Sequence, residues 1–144
     1  MATTLSGEQL AGRLRLAVAR TARRLRQEAD AGLSPTLTSA LATLDRHGPL
    51  TPSRLAEIER IQRPTATRIV AKLEAAGLVA RETDASDGRS FRVTVSPDGA
   101  RLLKQVRSRK NAYLAKRLRA LEEDELATLE RATEILERML EDRR

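Results

Sequence analysis

The sequence predicts a mainly α-helical protein of six helices and one β-hairpin, and three observations lead there. Apolar residues recur at helical spacing along most of the chain. Hydroxyl–proline pairs and glycines punctuate those runs as starts and stops. One stretch, Thr83 to Ser96 (TDASDGRSFRVTVS), departs from the helical period and alternates apolar with polar residues instead. At 144 residues the chain suits one ordinary domain, or one domain with helices that pack on a partner.

The start signals come first. Ser34-Pro35, Thr51-Pro52 and Ser96-Pro97 each place a hydroxyl at an N-cap and a proline at the first helical position. There the missing N–H costs nothing and the fixed φ helps. Pro64 belongs to the same class, with Gln62 or Arg63 as a poorer cap, and Gly32, Gly48 and Gly77 each follow a helical run. The first helix is expected over Ser6 to Ala31, with Leu10, Leu14, Val18 and Leu25 on one face. The second covers Pro35 to His47, turning Leu37, Leu41 and Leu44 inward, and a short third covers Pro52 to Arg60 with Leu55 and Ile58. The fourth, Pro64 to Ala76, carries Ala66, Ile69, Val70 and Leu73 as one stripe. Strands are expected at Leu78 to Glu82 and Ser90 to Val95, a long fifth helix after Pro97, and a sixth over Glu123 to Asp142.

Only a few residues around Arg60 to Arg63 separate the third and fourth helices, as in a helix-turn-helix. A hairpin directly behind that pair makes the arrangement a winged helix-turn-helix. The outer helices are too long and too one-sided for so small a lobe to cover. Leu126, Leu129, Leu136, Met139 and Leu140 recur at helical spacing, as do Leu103, Val106, Leu114, Leu118 and Leu121. The expected organisation is an N-terminal dimerisation helix over 1–33, a winged lobe over 34–98 and C-terminal dimerisation helices over 99–144. The alternative is that the last two helices close only on each other.

Composition narrows the function. The net charge of +7 suits a polyanionic partner. Tyr113 and Phe91 are the only aromatic residues, too few for a base-stacking platform on single strands. With no cysteine and His47 as the one histidine, disulfides, thiolate metal sites and Cys–His catalysis have nothing to build on, and neither metal nor cofactor is expected. No apolar run approaches the roughly 18 residues of a membrane span, so the expectation is a cytoplasmic protein with no membrane partner. An enzyme is disfavoured, since carboxylates such as Asp84 and Asp87 sit on an expected exposed tip with no pocket to shift them.

With its apolar stripe buried, the fourth helix shows Arg63, Thr65, Thr67, Arg68 and Lys72 on the opposite face. Short polar groups followed by basic ones suit a recognition helix, whose first residues reach base edges in a major groove about 12 Å wide. An ordinary solvated helix face would look similar. The hairpin favours the functional reading. Phe91, Val93 and Val95 point to one side and Arg92 and Thr94 to the other, while the tip offers nothing to a core. Arg89 at that tip could enter a minor groove and its enhanced negative potential. Asp87 either directs Arg89 or Arg92 by pairing with it or forms an Asx-type turn.

The chain resembles the MarR family of bacterial winged-helix regulators from about Leu10 to Leu140. The resemblance rests on Leu55-Ala56-Glu57, on Arg63-Pro64-Thr65-Ala66-Thr67-Arg68-Ile69-Val70, on Leu73-Glu74 and on Gly77-Leu78-Val79. Its most specific mark is the wing, Asp87-Gly88-Arg89 leading into Val93-Thr94-Val95-Ser96 and Gly99. Gln62 and Arg63 stand where the family often has a Ser-type cap, and Glu59-Arg60 replaces a small, apolar turn. The resemblance implies a homodimer on double-stranded DNA, with the fourth helix in the major groove and Arg89 in the minor groove. It also implies an effector, small and aromatic or anionic, bound between the dimerisation helices and the DNA-binding lobe. Arg13, Arg20, His47 and Tyr113 are the candidates to line that crevice, although His47 at a helix end better suits a partner of the helix dipole. A winged-helix module for protein partners and a nonspecific nucleoid binder are the alternative functions.

Charge along the fifth helix points the same way. Residues 101–119 hold eight basic side chains and no acidic one. The first of these are expected to extend a phosphate-contacting surface and the later ones to pair with carboxylates of the sixth helix.

Overall fold

A computed structural model of the chain describes residues 4–83 and 90–141. Its elements run α1 (Gly7–Glu28), α2 (Pro35–His47), α3 (Pro52–Glu59), α4 (Arg63–Ala75), β1 (Val79–Thr83), β2 (Phe91–Val95), α5 (Pro97–Leu118) and α6 (Glu123–Glu141). The six helices and one antiparallel hairpin are those the sequence predicts, and Asp142 lies outside the described residues.

The caps follow the hydroxyls. Ser34 Oγ accepts from Leu37 N at 3.2 Å, Thr51 Oγ1 from Arg54 N at 3.1 Å and Ser96 Oγ from Gly99 N at 3.0 Å. Ser6 and Gln9 close α1 with a reciprocal capping box. At its other end α1 stops at Glu28, short of the expected Ala31. Asp30 Oδ1 accepts from Gly32 N at 2.9 Å, and that local turn competes with another round of helix.

α2 is the hub, packing on α3, α4, α5 and β2. Leu41, Leu44, Leu55, Val70, Leu73 and Val93 are fully enclosed around it. The α4 stripe of Ala66, Ile69, Val70 and Leu73 is buried as its spacing predicts. β1 and β2 pair in the register Val79↔Val95, Arg81↔Val93 and Thr83↔Phe91. Leu50 adds a partner that the sequence analysis missed: its N–H donates to Val93 O at 3.1 Å and its carbonyl accepts from Val93 N at 2.7 Å. One residue between two helix signals has no alternation to betray it.

Two element ends differ from expectation for the same reason. Gly77 holds φ 75° after α4, and Leu78 N donates back to Leu73 O at 3.0 Å. That helix-ending bond keeps Leu78 out of the strand, which begins at Val79. Arg60, expected as the last residue of α3, instead takes the left-handed conformation at φ 55°, and Ile61 N returns to Ala56 O at 3.0 Å. An arginine does here what a glycine usually does.

The outer helices behave differently from the lobe. α1 lies along α5, but neither α1 nor α6 has a buried residue, and α6 packs extensively on no other element. α5 enters the core with Leu103 and Val106 and then leaves it, so that Leu118 is exposed.

Gly99, in the first turn of α5, is buried because the chain comes closest there. A Cβ at this position would run into the Leu78 carbonyl oxygen and come within 2.9 Å of Val95 Cγ1. Gly99→Ala is therefore expected to destabilise the protein by about 1–3 kcal/mol in urea unfolding, the range for overpacking a closed site. An unchanged midpoint would show that the contact yields without cost.

Candidate nucleic-acid interface

α4 is held from beneath by its buried stripe and from its start by the turn before it. Ser39 Oγ on α2 donates to Glu59 Oε2 at 3.0 Å, and the buried Thr43 hydroxyl donates to Glu59 Oε1. The Glu59 carboxylate thus ties the turn of the helix-turn-helix to α2. Gln62 offers no side-chain hydrogen bond to the first turn of α4, which starts without the hydroxyl cap that α2, α3 and α5 have.

The outward face of α4 carries the predicted residues together. Arg63, Thr67, Arg68 and Lys72 are exposed and Thr65 is half-buried. Thr67 Oγ1 donates to Arg63 O at 3.1 Å, and Arg68 Nη2 reaches Thr65 Oγ1 at 3.4 Å. Arg63 and Lys72 have no ion-pair partner among the described residues. A helix face with short hydroxyls near its start and unpaired cations along it can meet base edges and phosphates at once.

The wing stands directly behind this helix. Val93 is buried and Arg92 exposed, as the alternation predicts, while Thr94, expected to face outward with Arg92, is half-buried like Phe91 and Val95. Asp87 and Arg89 lie outside the described residues. Arg81, which the sequence analysis did not single out, sets its guanidinium carbon 4.3 Å from the centroid of the Phe91 ring. Its Nε donates to Glu74 Oε2 of α4 at 2.8 Å.

The basic residues of α5 make different partners from those expected. Arg101 pairs with Asp98, Arg107 with Asp45 of α2 at 2.7 Å, and Arg109 donates to Asp30 O at 3.2 Å. No ion pair joins α5 to α6 among the described residues, because α6 does not lie against it closely enough. Arg117 and Arg24 instead flank the Tyr113 ring, each 5.7 Å from its centroid.

A cavity of about 360 Å³ opens between the end of α1, the start of α2 and the middle of α5, within the usual ligand-pocket range. Leu33, Pro35 and Val106 give it apolar walls, and Arg23, Arg26 and Lys110 outnumber Asp30 at its rim. Arg13, Arg20, His47 and Tyr113 do not line it. The first three are exposed and Tyr113 is half-buried farther along α5. Sequence spacing could not find this cavity, because three separate elements enclose it. Among the described residues no helix is long and apolar enough to cross a membrane, and no acidic or histidine cluster could hold a metal.

Comparison with known proteins gives a consistent result. The model of the MarR family matches residues 33–91. An HTH-type transcriptional regulator of Mycobacterium leprae is 38% identical over 138 residues, covering 95% of this chain and 96% of its own. A transcriptional regulator of Pseudomonas aeruginosa PA01, 34% identical, superposes with a TM-score of 0.86 over 96% of this chain and 98% of that one. A MarR family protein of Bacillus stearothermophilus shares the fold at 24% identity, with a TM-score of 0.80 over 96% of this chain and 100% of that one.

Proposed function

The chain belongs to the MarR family of DNA-binding transcriptional regulators, and we propose that it acts in the cytoplasm as a homodimeric, effector-responsive repressor on a pseudo-palindromic operator. The observation that carries the reading is one surface: the exposed polar and basic face of α4 with a wing built directly on its C-terminal end. Arg63, Thr65, Thr67, Arg68 and Lys72 enter the major groove, and Arg89 and Arg92 serve the flanking minor groove and its phosphates.

A fluorescence-anisotropy titration at about 150 mM salt tests this, comparing DNA from upstream of the gene with a scrambled duplex. Specific sites are typically bound about 10³-fold or more tightly than nonspecific DNA. Arg89→Ala is expected to remove most of that gap. Equal affinity for both duplexes would make the protein a nonspecific binder, and affinity for neither would point to a protein-interaction module.

The dimer is supported by apolar faces left open in the single chain. Leu10 and Val18 on α1 are 54% and 50% exposed, and Leu129, Met139 and Leu140 on α6 are 45%, 58% and 72% exposed. Together with the half-buried Leu14 and Leu136 and the exposed Leu126, they form the kind of surface that marks a partner. A twofold dimer spaces two α4 helices about one turn of DNA apart. Sedimentation velocity of the double variant Leu129→Glu/Met139→Glu should show a monomer that no longer binds the operator cooperatively. A dimer of wild-type mass would place the interface elsewhere.

The cavity beside α1, α2 and α5 supports the effector. Its three cations suit an anion on an apolar body, and an occupant there would bear on how the lobe sits against α5. Benzoate, the simplest aromatic carboxylate, is expected to weaken operator binding of the wild type and to lose that effect in Lys110→Ala. An equal response in both proteins would remove the cavity from the mechanism.

A further inference from the structure

Arg81 sits in the middle of β1, opposite Val93. Directly opposed residues of an antiparallel pair share a face, so its side chain emerges on the side of Val79, Val93 and Phe91. Val79 and Val93 are buried, but from Ala80 to Thr83 the strand is exposed as it leaves the body of the lobe. Arg81 bridges that departure. Its flat guanidinium faces the Phe91 ring at 4.3 Å, and the Nε edge donates to Glu74 Oε2 at 2.8 Å in the last turn of α4. One planar group therefore touches both strands of the wing and the recognition helix, which a point-charge ammonium could not do.

We propose that Arg81 and Glu74 form a brace that sets the angle of the wing against α4, which makes both positioning residues for DNA recognition. The inference rests on the DNA-binding reading above. Stability does not explain the pair. Arg81 and Glu74 are 42% and 40% exposed, where an ion pair adds little, and the core beneath is closed without them. What the brace restricts is direction. A wing able to pivot must be ordered on each binding event, and a held one need not.

The charge of Glu74 provides a test of sign. Removing a carboxylate beside a DNA-binding surface should tighten binding if electrostatics alone matters. The brace requires the opposite: Glu74→Gln should weaken binding by about 3- to 10-fold, the scale of one lost restraint. Arg81→Lys, which keeps the charge but not the planar stack, should fall between the wild type and Arg81→Gln.

The probe is a 40-base-pair duplex (about four helical turns) enriched from a random library by the wild-type protein. Affinity is read by anisotropy and wing contact by hydroxyl-radical footprinting. A DNA-free readout runs beside it: because the chain has no cysteine, a single spin label at Glu82→Cys reports the motion of the wing alone. The expected result is weaker binding by Glu74→Gln, fading of the outermost minor-groove protections and a sharpened label spectrum. Equal or tighter binding, or an unchanged spectrum, overturns the brace. A wild type that enriches no duplex overturns the operator reading instead, and the label spectrum then decides the brace by itself.

Discussion

The seat of α5 on the Leu78 carbonyl is the constraint from which the geometry of the lobe follows. Gly99 lets the first turn of the helix reach that oxygen, and Ser96 holds it there. The Ser96 hydroxyl accepts from Gly99 N at 3.0 Å and donates to Gly77 O at 2.6 Å, while its own N–H donates to Leu78 O at 3.0 Å. The end of α4, the start of β1, the end of β2 and the start of α5 are thereby joined within a few residues. α4, the hairpin and α5 therefore share one hydrogen-bonded junction, and their relative placement is fixed there by directional bonds as well as by packing.

Away from that junction the protein divides its labour. The lobe is enclosed by aliphatic side chains around α2, and no large aromatic residue takes part in the fully buried core. Both aromatic residues are half-buried and serve as platforms for guanidinium groups, Phe91 for Arg81 and Tyr113 for Arg24 and Arg117. In a chain with many arginines and few rings, each ring orients cations that would otherwise sweep through solvent. The long helices have the reverse character, with apolar faces open and little buried within the single chain. Apolar faces of that extent are what an interaction surface looks like, whereas the lobe closes on itself.

How the turn before α4 is built shows where local signals give way. Glu59 and Arg60 carry no turn-forming signature, yet Arg60 adopts φ 55° and Glu59 is bound by two hydroxyls from α2. A left-handed arginine is strained by itself, of the order of 1 kcal/mol. It persists because Ile61 N finds Ala56 O and because α2 holds the residue before it. Neither support is visible at short range in the chain.

The limits of α2, the three hydroxyl–proline caps, the buried stripe of α4 and the burial of Val93 beside an exposed Arg92 were all legible in the sequence, because each depends on neighbours within about one or two turns. So was the outward set on α4, which is simply what remains once the stripe is buried. The pairing of Leu50 with Val93, the grip of Ser39 and Thr43 on Glu59, the bridge from Arg81 to Glu74 and Phe91, and the cavity between α1, α2 and α5 were decided only by tertiary structure. Each joins residues from elements that the chain separates by a turn or more of other structure, and no periodicity connects them. Local spacing determines which face of a helix is apolar. Only the packed whole determines what that face, or the charge at its edge, finally meets.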